Sequence, residues 1–272
     1  MPKPVTVTVV RKLWLTPHLV RVVGTADGFT PNVFTDAYVK LIFAPPGVEY
    51  PEPFDLDTVR ATLGPESQPV LRTYTVRSYV PERHEISIDF VVHGDEGIAG
   101  PWARSVEPGA RFRLTGPGGA FAPDPAADWY LFAGDESALP AVAAAVEALP
   151  AGAPAQVFVE VGGPEDEIEL GSPGDLRLHW VHRGVSSDRI PDDLAGEHAP
   201  LVAAVRAAEW LPGQVQAFVH GEAEAVMRQL RPYLRKERGV APKWLSVSGY
   251  WRRGRTEEGF REWKRALAAE GA

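Results

Sequence analysis

Near Asp128 the chain changes pattern, and that change limits the fold more than any other feature. Before it, short β-patterned runs follow one another between Pro and Gly turns, at 5–10, 19–23, 37–43, 72–76, 85–92 and 111–114. Such spacing suits a small antiparallel barrel. After it come compact apolar runs at 129–133, 156–161, 176–181, 215–219 and 244–248, the kind buried in a parallel sheet. Helical patterns lie between them: Leu139, Val142, Val146 and Leu149 share one face, and Ala223, Val226, Met227, Leu230 and Leu234 share another. Right-handed crossovers then imply a three-layer α/β domain with ligand sites at the carboxyl ends of its strands.

The expected architecture is two-domain, β plus α/β. A six-stranded antiparallel β-barrel spans 1–125, a parallel-sheet α/β domain 126–249, and a basic segment with a helix 250–272. The Pro-, Glu- and Asp-rich stretch 45–68 reads as an excursion off the barrel with one helical turn. Residues 116–119 (Gly-Pro-Gly-Gly) end the barrel, and 122–125 (Ala-Pro-Asp-Pro) read as the linker. In the tail, Thr256 is placed to cap a helix with Glu257 and Glu258 in its first turn. Phe260, Trp263 and Leu267 form its apolar stripe, with Arg261, Lys264 and Arg265 pointing elsewhere.

Composition removes several function classes. The absence of Cys excludes disulfides, thiol redox chemistry and every Cys-ligated iron–sulfur cluster. A net charge of −8 argues against nucleic acid as a partner. No run approaches the length of a membrane span, and the N-terminus leads into an alternating strand rather than an apolar leader. A soluble, cytoplasmic monomer without stable membrane insertion is the expectation. The seven histidines show no metal-ligand spacing, and His179 and His182 read as non-ligands.

The chemistry concentrates in Arg72-Thr73-Tyr74-Thr75-Val76-Arg77. In an extended segment alternate side chains share a face, so Arg72 and Tyr74 point one way and Thr73 and Thr75 the other. A planar flavin with a pyrophosphate needs a fixed cation, a flat aromatic surface and a hydroxyl near its redox nitrogen, and a guanidinium suits the phosphate. Asp89 to His93 reads as another strand end. The turn at 97–103 opens a short helix with Pro101 in its first turn, leaving free N–H groups for an anion near Gly100 to Ala103.

The ordered set RTYTVR, DFVVHG, GPWA, LFAGDESALPA, FVHGE and SGYWRRG resembles the siderophore-interacting protein family of flavin-dependent ferric-siderophore reductases, within the ferredoxin–NADP reductase superfamily. The resemblance runs from about residue 5 to 267. It implies FAD, with Arg72 at the pyrophosphate, Tyr74 along the isoalloxazine and ribityl, and Thr73 and Thr75 on the same strand, Thr75 near N5. Asp89, His93 and the turn Gly100, Pro101, Trp102 and Ala103 complete that pocket. A dinucleotide, NADPH in preference to NADH, is expected at Gly134, Asp135, Glu136 and Ser137, with a second contact at Gly221 and Glu222. This is not the G-x-G-x-x-G fingerprint. Arg183 and Arg189 read equally as 2′-phosphate ligands or as solvated loop charges.

The resemblance further implies a ferric siderophore as substrate, met by Lys40, Trp251, Arg252 and Arg253. Gly118 stands where the family often has a basic residue. The implied reaction carries electrons from the nicotinamide through FAD to ferric iron and releases Fe(II), with no catalytic acid or base. Two alternatives stay open: a flavin reductase with another acceptor, and a flavin-containing siderophore carrier without turnover.

Overall fold

The computed structural model describes residues 3–95 and 97–269. The chain divides into two compact units, Met1–Ala122 and Pro123–Ala272.

The first unit is a closed antiparallel barrel. Its strands are β1 (Val5–Thr16), β2 (Leu19–Thr25), β3 (Tyr38–Phe43), β4 (Val70–Val80), β5 (Glu85–Val91) and β6 (Arg111–Gly118), in the order β1-β2-β5-β4-β3-β6. Closure leaves no free sheet edge. Alternation fills the interior with Val7, Val20, Val39, Leu41, Ile88, Phe90 and Leu114, each 0–1% exposed. The 45–68 excursion carries α1 (Leu56–Thr62), capped by Asp55, which accepts from the Thr58 amide at 2.7 Å. Leu56 of α1 packs with Ile42 and Leu71 on the outer face of β3 and β4. The helix α2 (Ala99–Ser105) is held by Trp102, whose ring meets Phe43, Phe90 and Phe112 at 5.1–5.6 Å between centroids.

The second unit has a five-stranded parallel sheet in the order β11-β10-β7-β8-β9. These strands are β7 (Trp129–Asp135), β8 (Pro154–Val161), β9 (Asp175–His182), β10 (Val215–Glu222) and β11 (Leu245–Trp251). The order reverses at β7, where β10 returns to the opposite edge, so the β7/β10 pair is the topological switch point. Helix α3 (Leu139–Glu147) is buried along nearly its whole length, and α4 (Pro200–Ala207) packs with Val226, Leu230 and Leu234 over Leu131, Ala133 and Val219.

The helix after β10 differs from the expected regular one. It winds as π-helical segments at Glu224–Leu230 and Tyr233–Glu237. Pro232 lies between them and has no N–H for the ladder, which accounts for an irregularity there. Helix α5 (Glu257–Ala269) is capped by Thr256, whose Oγ1 accepts from the Gly259 amide at 3.2 Å. Phe260 and Leu267 are buried beneath it, as the stripe expects. The side chains of Glu257, Glu258 and Arg261 lie outside the described residues.

Candidate functional site

In the barrel unit the cofactor motif lies on β4. Register pairs Thr75 with Tyr38, Tyr74 with Val39, Thr73 with Lys40 and Arg72 with Leu41. Tyr74 and Arg72 therefore share the side of the interior residues Val39 and Leu41, while Thr73 and Thr75 share the side of Lys40. Tyr74 is half-buried with its ring 4.4 Å from Phe90, and Phe90 touches Trp102 of α2. This aromatic chain links the middle of α2 to the face of β4 that carries Tyr74.

Two observations fit a bound anionic, ring-bearing group there. Helix α2 opens at Ile98 with no side-chain cap, so its first-turn N–H groups keep their hydrogen-bonding capacity. His93 Nδ1 is buried without a hydrogen-bond partner, an arrangement that costs free energy unless a ligand completes it. FAD supplies a pyrophosphate, a ring and acceptors, and these residues suit it.

Two residues expected at the cofactor have other work. Asp89 is 5% exposed and takes a bidentate pair from Arg21, at 2.6 and 2.7 Å, directly across the β2–β5 ladder. Its oxygens brace the barrel instead of facing a ligand, because a buried carboxylate requires a paired cation. Trp102 is an anchor for α2 through its three Phe contacts. Lys40 is half-buried between Thr73 on β4 and Thr115 on β6. A Cβ at Gly118 would lie 2.4 Å from the exposed Tyr38 ring, so a side chain there would have to displace that ring. Tyr38 thus occupies the space a basic side chain would need.

In the second unit Gly134 and Gly221 meet at the switch point. A Cβ on Gly134 would come 2.6 Å from the His220 carbonyl oxygen, so its approach is made by the neighbouring strand. Gly221 has φ of 145°, and a Cβ there would strike Asp135 Oδ2. Asp135, 4% exposed, is saturated by four donors. Its Oδ1 accepts from the Ser137 amide and hydroxyl, and its Oδ2 from the Glu222 amide at 2.7 Å and Trp251 Nε1 at 2.8 Å. It therefore ties together the ends of β7, β10 and β11, leaving no acceptor capacity for a ribose. Sequence reasoning missed this clamp, since two of its four donors lie 87 and 116 residues away.

Arg183 also departs from expectation. Its side chain is 0% exposed and sits between Glu136, at 2.5 Å, and Glu160, at 3.0 Å. Such a guanidinium has no face to offer a 2′-phosphate. Glu160 also accepts the Leu201 amide at 2.8 Å. Burial pushes the Glu160 carboxyl up to about 7 against the pull of Arg183, and burial likewise raises Glu136. Two carboxylates compete for one guanidinium, so one of them holds a proton well above the ordinary carboxylate range.

Glu222 accepts from the Ala225 amide at 2.9 Å, from Arg252 at 3.0 Å and from the Arg253 amide at 3.2 Å. Arg252 also pairs with Glu224 at 2.8 Å, and Arg253 donates to the Ile190 carbonyl at 3.0 Å and pairs with Asp192. Both arginines expected at an anionic substrate are thus held by carboxylates of their own unit, and such a ligand must compete for them.

Behind the switch point His220 stacks on Phe218, 3.8 Å between centroids, and burial, then Lys264, pushes it down to about 3. It is a neutral packed imidazole. His179 stacks on Phe158, and His182 meets Glu167 at 2.7 Å.

Comparison with known proteins decides the family. Residues 8–121 match the siderophore-interacting FAD-binding domain, and residues 127–254 match the siderophore-interacting protein model. The chain belongs to the siderophore-interacting protein family. Its relatives include an uncharacterized protein of Mycobacterium tuberculosis, 54% identical over 261 residues, 93% of this chain and 92% of that protein. The ferric vibriobactin reductase ViuB of Vibrio cholerae is 34% identical over 267 residues, 96% of this chain and 94% of that protein. Among solved structures, the siderophore-interacting protein SipS of Aeromonas hydrophila superposes with a TM-score of 0.79 at 29% identity, covering 98% of this chain and 99% of that one. A ferredoxin reductase of carbazole 1,9a-dioxygenase, at 20% identity and a TM-score of 0.64, covers 91% of this chain and 69% of its own and shares the fold. This siderophore-interacting protein therefore pairs an FAD-binding barrel with an α/β unit in the ferredoxin-reductase manner. Among its described residues no helix is long and apolar enough to cross a membrane.

Proposed function

We propose that this protein is a ferric-siderophore reductase that uses FAD and a nicotinamide dinucleotide to release Fe(II) in the cytoplasm. The observation that carries the reading is the cradle of Arg72, Tyr74, the uncapped start of α2 and the unpartnered His93 Nδ1, in a chain 34% identical to a ferric vibriobactin reductase. In this reading Arg72 and the α2 turn hold the pyrophosphate, Tyr74 lies along the ring system, and Thr75 fixes the strand beside it. Lys40 on the barrel supplies positive charge for an anionic ferric complex, and Arg252 is a further basic candidate within the second unit. The chemistry that FAD supplies when bound is the conversion of a two-electron donor into single-electron deliveries to iron. Fe(II) binds hard oxygen donors far more weakly than Fe(III), so reduction releases it. Without Cys, no thiol shares that redox capacity.

Anaerobic turnover with a ferrous chelator tests the reading. Two Fe(II) should be trapped for each dinucleotide oxidised. A protein that binds FAD and ferric siderophore but traps no Fe(II) would be a carrier. Rapid oxidation of the dinucleotide by other acceptors, without Fe(II) from any siderophore, would favour a general flavin reductase.

A further inference from the structure

The end of β9 decides which dinucleotide the second unit takes, and this inference rests on the reading above that a dinucleotide is the donor. In an open parallel sheet the pyrophosphate lies at the switch point, here β7/β10. The adenosine ribose lies toward the second strand of that half, here β8 with its neighbour β9. There an acid favours a free 2′-hydroxyl and a free arginine favours a 2′-phosphate. The segment leaving β9 holds two arginines, Arg183 and Arg189, and the hydroxyls of Ser186 and Ser187.

Three of these donors lie beside a carboxylate. Arg183 is wholly buried between Glu136 and Glu160. Asp188 accepts from the Ser186 hydroxyl at 2.5 Å through one oxygen, and its other oxygen lies 4.0 Å from Arg189 Nε. The wider rim has the same sign. The segments leaving the carboxyl ends of the strands, 134–137, 160–169, 183–198, 222–224 and 251–255, carry 13 carboxylates against five arginines. A dianionic 2′-phosphate entering this rim meets like charge, and the exposed guanidinium of Arg189 is reached only alongside the Asp188 carboxylate.

We propose that Asp188 makes this site select NADH and reject NADPH. It acts on specificity by holding the Ser186 hydroxyl and by setting its own negative charge beside the exposed Arg189, where a 2′-phosphate would have to enter, while Glu136 and Glu160 keep Arg183 out of reach. This reverses the sequence expectation of NADPH.

The test measures flavin reduction in the FAD-loaded protein with NADH and NADPH, together with competition by ADP and adenosine 2′,5′-bisphosphate. NADH should exceed NADPH in kcat/KM by tenfold or more at low ionic strength, with the gap narrowing as salt screens the rim. ADP should compete better than the 2′-phosphorylated analogue. Asp188→Ser should raise kcat/KM for NADPH about tenfold and tighten the bisphosphate, with NADH changed by less than about threefold. Equal or better use of NADPH by the unaltered protein overturns the proposal and leaves the donor reading intact. An Asp188→Ser protein of unchanged selectivity also overturns it. If neither dinucleotide reduces the flavin while dithionite does, the donor reading fails, and this proposal fails with it.

Discussion

Replacing Asp135 by Asn separates a clamp from a ligand contact, because the substitution keeps size and removes acceptors. The native carboxylate takes two donors on each oxygen. An amide has one acceptor oxygen and one donor NH2, so one pair of native donors must face an NH2 group. The less costly orientation turns the NH2 toward Ser137, whose hydroxyl rotates to accept, leaving the Ser137 amide unsatisfied. The other two donors then keep a neutral partner in place of a charged one. Hydrogen bonds to charged groups contribute about 1.5–3 kcal/mol and an unsatisfied buried group costs about 1–3 kcal/mol, so a loss of about 2–4 kcal/mol is expected. For a unit of this size that lowers Tm by about 5–15 °C. Circular dichroism melts give the shift, and hydrogen exchange should show faster opening at the Glu222 amide. FAD content should stay near the native level. If Asp135→Asn melts within about 1 °C of the native protein and leaves that amide protected, yet raises the KM for NADH tenfold, Asp135 is a dinucleotide ligand and the clamp argument is wrong.

Glu160→Gln should flatten the pH dependence of stability. The native carboxyl, near 7 folded against 4.5 unfolded, stabilises fully below pH 4.5, and its contribution is lost as pH rises through 7. The native protein should therefore lose up to about 3 kcal/mol between those limits relative to the variant, read from urea midpoints; parallel pH profiles would contradict this. Arg72→Ala should weaken FAD ten- to a hundredfold, measured by flavin released on ultrafiltration, whereas equal retention would put the pyrophosphate elsewhere. Lys40→Ala should raise the KM for an anionic ferric siderophore and flatten its salt dependence; an unchanged slope would remove Lys40 from the substrate path.

The barrel and the sheet were legible because they rest on alternation and on Pro and Gly punctuation, which are local signals. Their limits were less so. β1 runs to Thr16 and β4 to Val80, past the points where alternation blurs, and the register shifts between Val76 and Ser78. Helix α4 escaped notice, although Pro200 followed by Leu201, Val202 and Val205 carries a short helical pattern. In the candidate site, Arg72, Tyr74 and His93 stand out by their types and order, and the proposed cradle is built on them. Asp89, Asp135 and Arg183 have side chains already engaged within the fold, and their sequence hid this for a common reason. A carboxylate or guanidinium in a motif looks available until its partners are known, and here those partners stand 23 to 116 residues away. For Asp89 a usable signal existed, since aligning β2 with β5 sets Arg21 opposite it.

The strand order also has a consequence for how this chain is made. All six barrel strands lie within the first 118 residues, so the first unit has its full complement while the second is still being synthesised. The second unit has no such autonomy. β7 emerges early, but its β10 neighbour arrives about 80 residues later, and the indole that completes Asp135 comes at Trp251. Until then the nascent chain carries a half-paired central strand and a carboxylate awaiting its donors. Folding of this unit is thus deferred until Trp251 has been made, and a chain halted just before β10 would hold a complete set of barrel strands tethered to an open sheet.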